Sequence, residues 1–152
     1  MRTNTDITIY NRYIDPSTRS ELFQRTIIEQ VAFVEKHGAS TIQAGGFVRM
    51  DIATAYIPMI RGTFYKEPSD WLALVDKTGY WTLHAGDFFC TGAVLDELHP
   101  LIPAVLDPPQ DAVPAFGPSD LKAKYWQTFT ILSVDANDRG SLPMQFWTVS
   151  AK

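Results

Sequence analysis

Apolar and polar residues alternate with a period of two along much of this chain, and that spacing predicts strands. "DITIY" near the start is a short β-branched run, closed by the turn chemistry of "DPSTR". In "LFQRTIIEQVAFVEK", Ile27, Ile28, Val31 and Val34 also fit a helical stripe, but the β-branched and aromatic content favours strand. "FVRMDIATAYIP" is the clearest case. Val48, Met50, Ile52, Thr54 and Tyr56 share one face, Arg49, Asp51, Ala53 and Ala55 share the other, and Pro58 ends the run. "KEPSDWLAL" carries Pro68, Ser69 and Asp70, the chemistry of a helix start, and predicts a short helix anchored on the sheet by Trp71.

The C-terminal part predicts a hairpin, with strands in "YWQTFTILSV" and "MQFWTVS" joined through "DANDRGSLP". Phe129 and Ile131 face one way, and Trp126, Leu132 and Val134 the other; Trp147 and Val149 oppose Met144 and Phe146. Both faces are apolar, so one forms the core and the other needs a cover. Between these strands and the centre lies "HPLIPAVLDPPQDAVPAFGPS", residues 99–119, where six prolines argue against both a ladder strand and a helix interior. Its apolar residues predict a loop packed on its own domain or on a neighbouring molecule.

Composition narrows the class. The chain has 152 residues, of which 45% are hydrophobic and 20% charged, the balance of one soluble domain spanning 1–152. No apolar run is long enough for a membrane span, and "MRTNTDITIY" has no signal-like segment, which predicts folding in a reducing cytoplasm. The net charge of −4 argues against general nucleic-acid binding. From Thr78 to Leu121 there is no Lys or Arg, while Asp87, Asp96, Glu97, Asp107, Asp111 and Asp120 all fall there. Arg2, Arg12, Arg19 and Arg25 lie near the start among Asp6, Asp15, Glu21 and Glu29. Such a split fits two solvated surfaces, or an acidic face that meets basic groups on another molecule.

"TGYWTLHAGDFFCTG" (78–92) places a histidine, an aspartate and the only cysteine close together. As a hairpin turning at Ala85-Gly86, it sets Leu83 opposite Phe88 and Trp81 opposite Cys90. Trp81, Leu83, Phe88 and Cys90 then share an apolar face, and His84 and Asp87 pair at the surface on the other. The pattern separates thiol from base, which predicts a structural cysteine and no catalytic residue. His37, His84 and His99 lack zinc spacing, Asp96 and Glu97 point apart, and "AGGF" matches no nucleotide motif but marks a turn or bulge. No metal or cofactor is expected.

The order of motifs resembles a family of small tailed-phage proteins. "DITIYNRYIDPSTRSELFQRTII", "PSDW", "WTLHAGDFFCTG" running into "DE", and "VDANDRGSLPMQFWTV" carry the likeness. The resemblance implies a head–tail connector of the head-closure or stopper type. Its expected fold is mainly β: a small barrel or sandwich with a short helix, an extended N-terminal arm (1–20) and the Pro-rich loop (99–119). Such a chain would form a homo-oligomeric ring in the virion neck, between portal or adaptor and tail-side proteins. DNA would pass nearby without sequence-specific contact, no membrane would be involved, and assembly would occur in the host cytoplasm. The residues expected at ring contacts are Arg12 and Arg19 on the arm with Arg25 just beyond it, Asp107, Asp111 and Phe116 on the loop, and Trp126, Met144 and Phe146 on the greasy sheet face. The alternatives are a tail-completion or capsid-decorating protein, or a small barrel holding an apolar ligand between aromatic faces.

Overall fold

The computed structural model describes residues 2–36, 39–41, 47–49 and 52–152, with backbone alone for 39–41 and 47–49. The strands are β1 (Thr5–Ile14), β2 (Glu21–Lys36), β3 (Ala39–Thr41), β4 (Phe47–Arg49), β5 (Ile52–Pro58), β6 (Phe88–Thr91), β7 (Val105–Leu106), β8 (Pro109–Gln110), β9 (Thr128–Asn137) and β10 (Phe146–Ala151). Two short helices, α1 (Pro68–Ala73) and α2 (Pro118–Lys124), and 3-10 turns at Met59–Arg61 and Leu142–Met144 complete the elements. Six strands close into an antiparallel barrel in the order β1-β2-β5-β10-β9-β6. Closure gives each of the six barrel strands a neighbour on both sides.

The long β2 turns the barrel's corner. Its first part pairs with β1 and its last part, from Ala32 to Lys36, pairs with β5. At the changeover Gln30 has φ of 58°, and its N–H donates to the Asp6 carboxylate at 3.0 Å. A left-handed residue held by a side-chain acceptor bends the strand as a bulge does. The strand reading of 22–36 is therefore correct, and the helical alternative lost to the β-branched content.

Aromatic residues fill the interior. Trp81 meets Trp147 edge-on at 5.7 Å, Tyr65 lies 4.4 Å from Trp147, and Phe89 packs on Phe129 at 5.5 Å. Small residues on β5 make room for these rings. Ala53, Ala55 and Ile57 point inward, leaving Ile52, Thr54 and Tyr56 outside. Gly62 is required for the same reason, because a Cβ there would come within 2.6 Å of the Trp147 ring.

A second apolar cluster lies outside the barrel wall. Tyr10 and Cys90 face outward and are covered by Val94, Leu98, Leu121 and the partly buried Phe116 and Tyr125. Residues 7–11 of β1 are consequently buried on both faces, Ile7 and Ile9 in the barrel and Thr8 and Tyr10 beneath this cover. Thr8 fixes the cover: its hydroxyl donates to the Gly92 carbonyl and accepts from the Val94 N–H, each at 2.8 Å. Tyr10 donates to the Asp96 carbonyl at 2.7 Å.

Several expectations need correction. Residues 5–14 are a central barrel strand and not an extended arm, because alternate positions meet two separate cores. The 78–92 stretch is not a two-stranded hairpin. β6 pairs with β1 and β9, while Trp81 bridges Tyr65. Phe89 thus joins Trp81 and Leu83 in the barrel, and Phe88 and Cys90 face the outer cluster. Val134 turns toward the core, since a register shift opposite Ser150 and Ala151 changes the alternation of β9. The "AGGF" turn, His37, Met50 and Asp51, and the side chains of Val48 and Arg49, lie outside the described residues. Among the described residues, no helix is long and apolar enough to cross a membrane.

Residues 99–116 give the largest departure. They form a two-stranded ribbon with pairs His99–Phe116, Ile102–Val113, Val105–Gln110 and Leu106–Pro109, in constant register to the tip. His99 and Phe116 exchange two hydrogen bonds at 3.0 Å, and Ile102 and Val113 exchange two at 3.0 and 2.9 Å. The first three pairs, starting at His99, Ile102 and Val105, fall every third position, and the adjacent Leu106–Pro109 pair closes the tip. Pro100, Pro103 and Pro114 fall between the first three pairs, and Pro109, which has no N–H, sits in the last pair beside the tip. The proline argument against a ladder fails because it assumes a period of two.

Candidate interaction surface

The proline-rich ribbon is exposed throughout residues 101–115. Leu106 at its tip is 93% exposed, and Leu101, Ile102, Val105 and Val113 all show much of their surface. An isolated two-stranded ribbon is marginal in water, and this one presents bulky aliphatic groups that its own domain does not cover.

The barrel wall shows a second uncovered region. The outer cluster clads β1 and β6, but none of the described residues forms such a cover over β5 and β10. Cross-strand pairing sets Val34 beside Thr54, Thr54 beside Ser150, and Tyr56 beside Thr148, all on the outer face. Phe146 stacks edge-on against Tyr56 at 5.9 Å on that wall. Val34 and Ile52 are each 44% exposed there. This is a broad, weakly charged β surface.

The expected contact residues fall in different environments. Arg12 pairs with Glu21 at 3.1 Å, and Arg25 donates to the Val94 carbonyl at 3.0 Å and meets Glu97 at 3.5 Å. Arg25 is thus mostly committed within the chain. Arg19 is exposed at the β1–β2 turn. Asp107 and Asp111 lie on the ribbon, whereas Phe116 sits at its base against the outer cluster. Trp126, 79% exposed, precedes β9; Met144 belongs to a 3-10 turn; Phe146 is on the bare wall. Asp96 and Glu97 do diverge, Asp96 to Lys124 at 2.7 Å and Glu97 to Arg25.

Asp87 is not a surface residue. It is 2% exposed, with its carboxylate accepting from the Asn11 amide at 2.9 Å and the Arg12 N–H at 3.1 Å. Asn11 in turn donates to the Thr82 carbonyl at 2.8 Å and accepts from the Thr82 N–H at 3.2 Å. Burial pushes the Asp87 carboxyl up, against the lowering effect of these bonds. The missed signal was Asn11, which continues the inward alternation of Ile7 and Ile9 and so had to find buried partners. A cleft of about 400 Å³ lies over this network, lined by Arg12, Tyr13, Trp71, Leu72, His84 and Asp87. Trp71 is buried as expected, its indole N–H donating to the Tyr80 carbonyl at 3.1 Å.

Cys90 is buried in the outer cluster, and its thiol contacts the Thr128 hydroxyl at 3.2 Å. Desolvation raises its pKa, which disfavours the thiolate a nucleophile needs. His84 is exposed in the turn lining the cleft and is not part of the Cys90 cluster. Cys90→Ser is expected to cost about 1 kcal/mol in stability and to leave the oligomeric state unchanged, as read by thermal unfolding and light scattering. Among the described residues, no group of three or more His, Cys, Asp or Glu side chains could hold a metal ion.

The model of a family of unknown function, DUF6751, matches residues 2–152. The chain belongs to that family. No curated protein and no solved structure matches it.

Proposed function

We propose that this DUF6751 chain is a structural protein of a tailed-phage neck, a ring-forming head–tail connector between the portal region and the tail. The observation that carries this reading is the exposed aliphatic ribbon at 101–115, which calls for a protein surface to cover it. The bare barrel wall and the motif resemblance support the same direction. A small closed barrel with a projecting ribbon suits head-to-tail contacts, in which each copy offers two different patches. The cation-free ribbon would also discourage passing DNA from adhering.

The ligand-binding barrel has less support. Trp81, Trp147, Phe89 and Phe129 fill the interior, and the clefts found lie at the surface. The neck reading assigns no catalytic residue. Its test is location: antibodies against the chain should label the neck of purified particles of the phage encoding it. Particles that lack the protein, or label elsewhere, would overturn the assignment.

A further inference from the structure

We infer that the proline-rich ribbon of one copy lies across the bare β2–β5–β10–β9 wall of a second copy. This deepens the neck reading by naming its two self-contact surfaces. The ribbon does not lie on its own wall, since residues 101–115 are exposed throughout. Its base is fixed in the cluster covering β1 and β6, the clad part of the barrel.

Shape and charge both match. Eight residue steps from His99 to the tip give a ribbon roughly 25 Å long, and the seven residues of β5 give a wall roughly 20 Å tall. The ribbon offers Leu101, Ile102, Val105 and Leu106 with Asp107 and Asp111 near its tip, and no cation occurs anywhere from Thr78 to Leu121. On the wall's described outer face, Val34, Ile52, Thr54 and Ser150 are flanked at one end by Lys36 and Lys152. Its acidic residue, Asp135, pairs with Thr148 nearer the other end. An acidic aliphatic ribbon therefore meets an aliphatic, hydroxyl-rich wall whose described cations, Lys36 and Lys152, lie at one end, which gives the docking a direction as well as a contact.

The contact joins two different patches, so it predicts a complementation pattern that a symmetric dimer would not show. Leu106→Asp spoils the ribbon and Ile52→Asp the wall, both at exposed positions; Val34→Asp is a second wall variant. By analytical ultracentrifugation the wild type should self-associate with concentration. Each variant should lose that association while keeping a wild-type circular dichroism spectrum. Mixed together, Leu106→Asp and Ile52→Asp should form a heterodimer and nothing larger, because one retains a wall and the other a ribbon. A wild type that stays monomeric, or a mixture that stays as two monomers, overturns the inference. Self-association that survives all three substitutions overturns it as well, yet leaves the neck reading to be judged on particle labelling.

Discussion

Deleting residues 1–19 is expected to abolish folding, and not merely to weaken assembly. The deletion removes β1, which pairs with both β2 and β6. It opens the closed barrel between β2 and β6 and exposes two strand edges. Ile7, Ile9 and Tyr10 are each essentially inaccessible. At about 1.5–3 kcal/mol for each large apolar side chain, their loss alone is comparable to the whole stability of an ordinary domain. Both the barrel core and the outer cluster lose members, so no part of the structure is spared. The check is a two-dimensional amide spectrum of the truncated chain. Dispersed resonances in the wild-type pattern would mean that β1 is dispensable.

The second large effect concerns Asp87. Asp87→Ala leaves the Asn11 amide and the Arg12 N–H buried without their acceptors, at about 1–3 kcal/mol each. Asp87→Asn costs less but is not neutral. One of its amide positions must face a donor, because the Asn11 orientation is already fixed by Thr82. The pH dependence separates charge from geometry. Because the folded-state pKa of Asp87 is raised, the native state holds this proton more tightly than the unfolded chain does. Its contribution is most favourable in acid and is lost as pH rises from the ordinary aspartate range through the raised value. Urea unfolding of the wild type should show that component, and Asp87→Asn should lack it. An identical pH slope in both proteins would show that Asp87 is not the group responsible.

How much of this was legible in the sequence depended on whether a single periodicity governed the segment. β5 and β10 follow a period of two, and the alternation located them; β2 was placed by its β-branched content, and β9 departs from alternation where its register shifts. The alternation also separated Ala53 and Ala55 from Ile52 and Tyr56 on β5. That the small residues face inward follows from the volume of Trp81 and Trp147, which strand periodicity does not encode. The 78–92 stretch misled because its local pattern permitted a hairpin, while β6 found better partners distant in sequence, β1 and β9. Asp87 looked like turn chemistry for the same reason: its burial depends on Asn11, far earlier in the chain. The surfaces now singled out were only half visible. Excess apolar sheet was evident, but which part of it the chain covers for itself depends on where α2 and residues 92–98 fold back.

The threefold spacing of the ribbon's pairs from His99 to Val105 also sets how its reach can change. Adding one residue to a single side would shift every pair beyond it and bring prolines into donor positions. Adding three to both sides would keep the register and extend the tip by roughly 9 Å. The barrel would be untouched. Evolution can thus lengthen this projection only in discrete increments, a ratchet that would let related chains bridge gaps of different width with the same body.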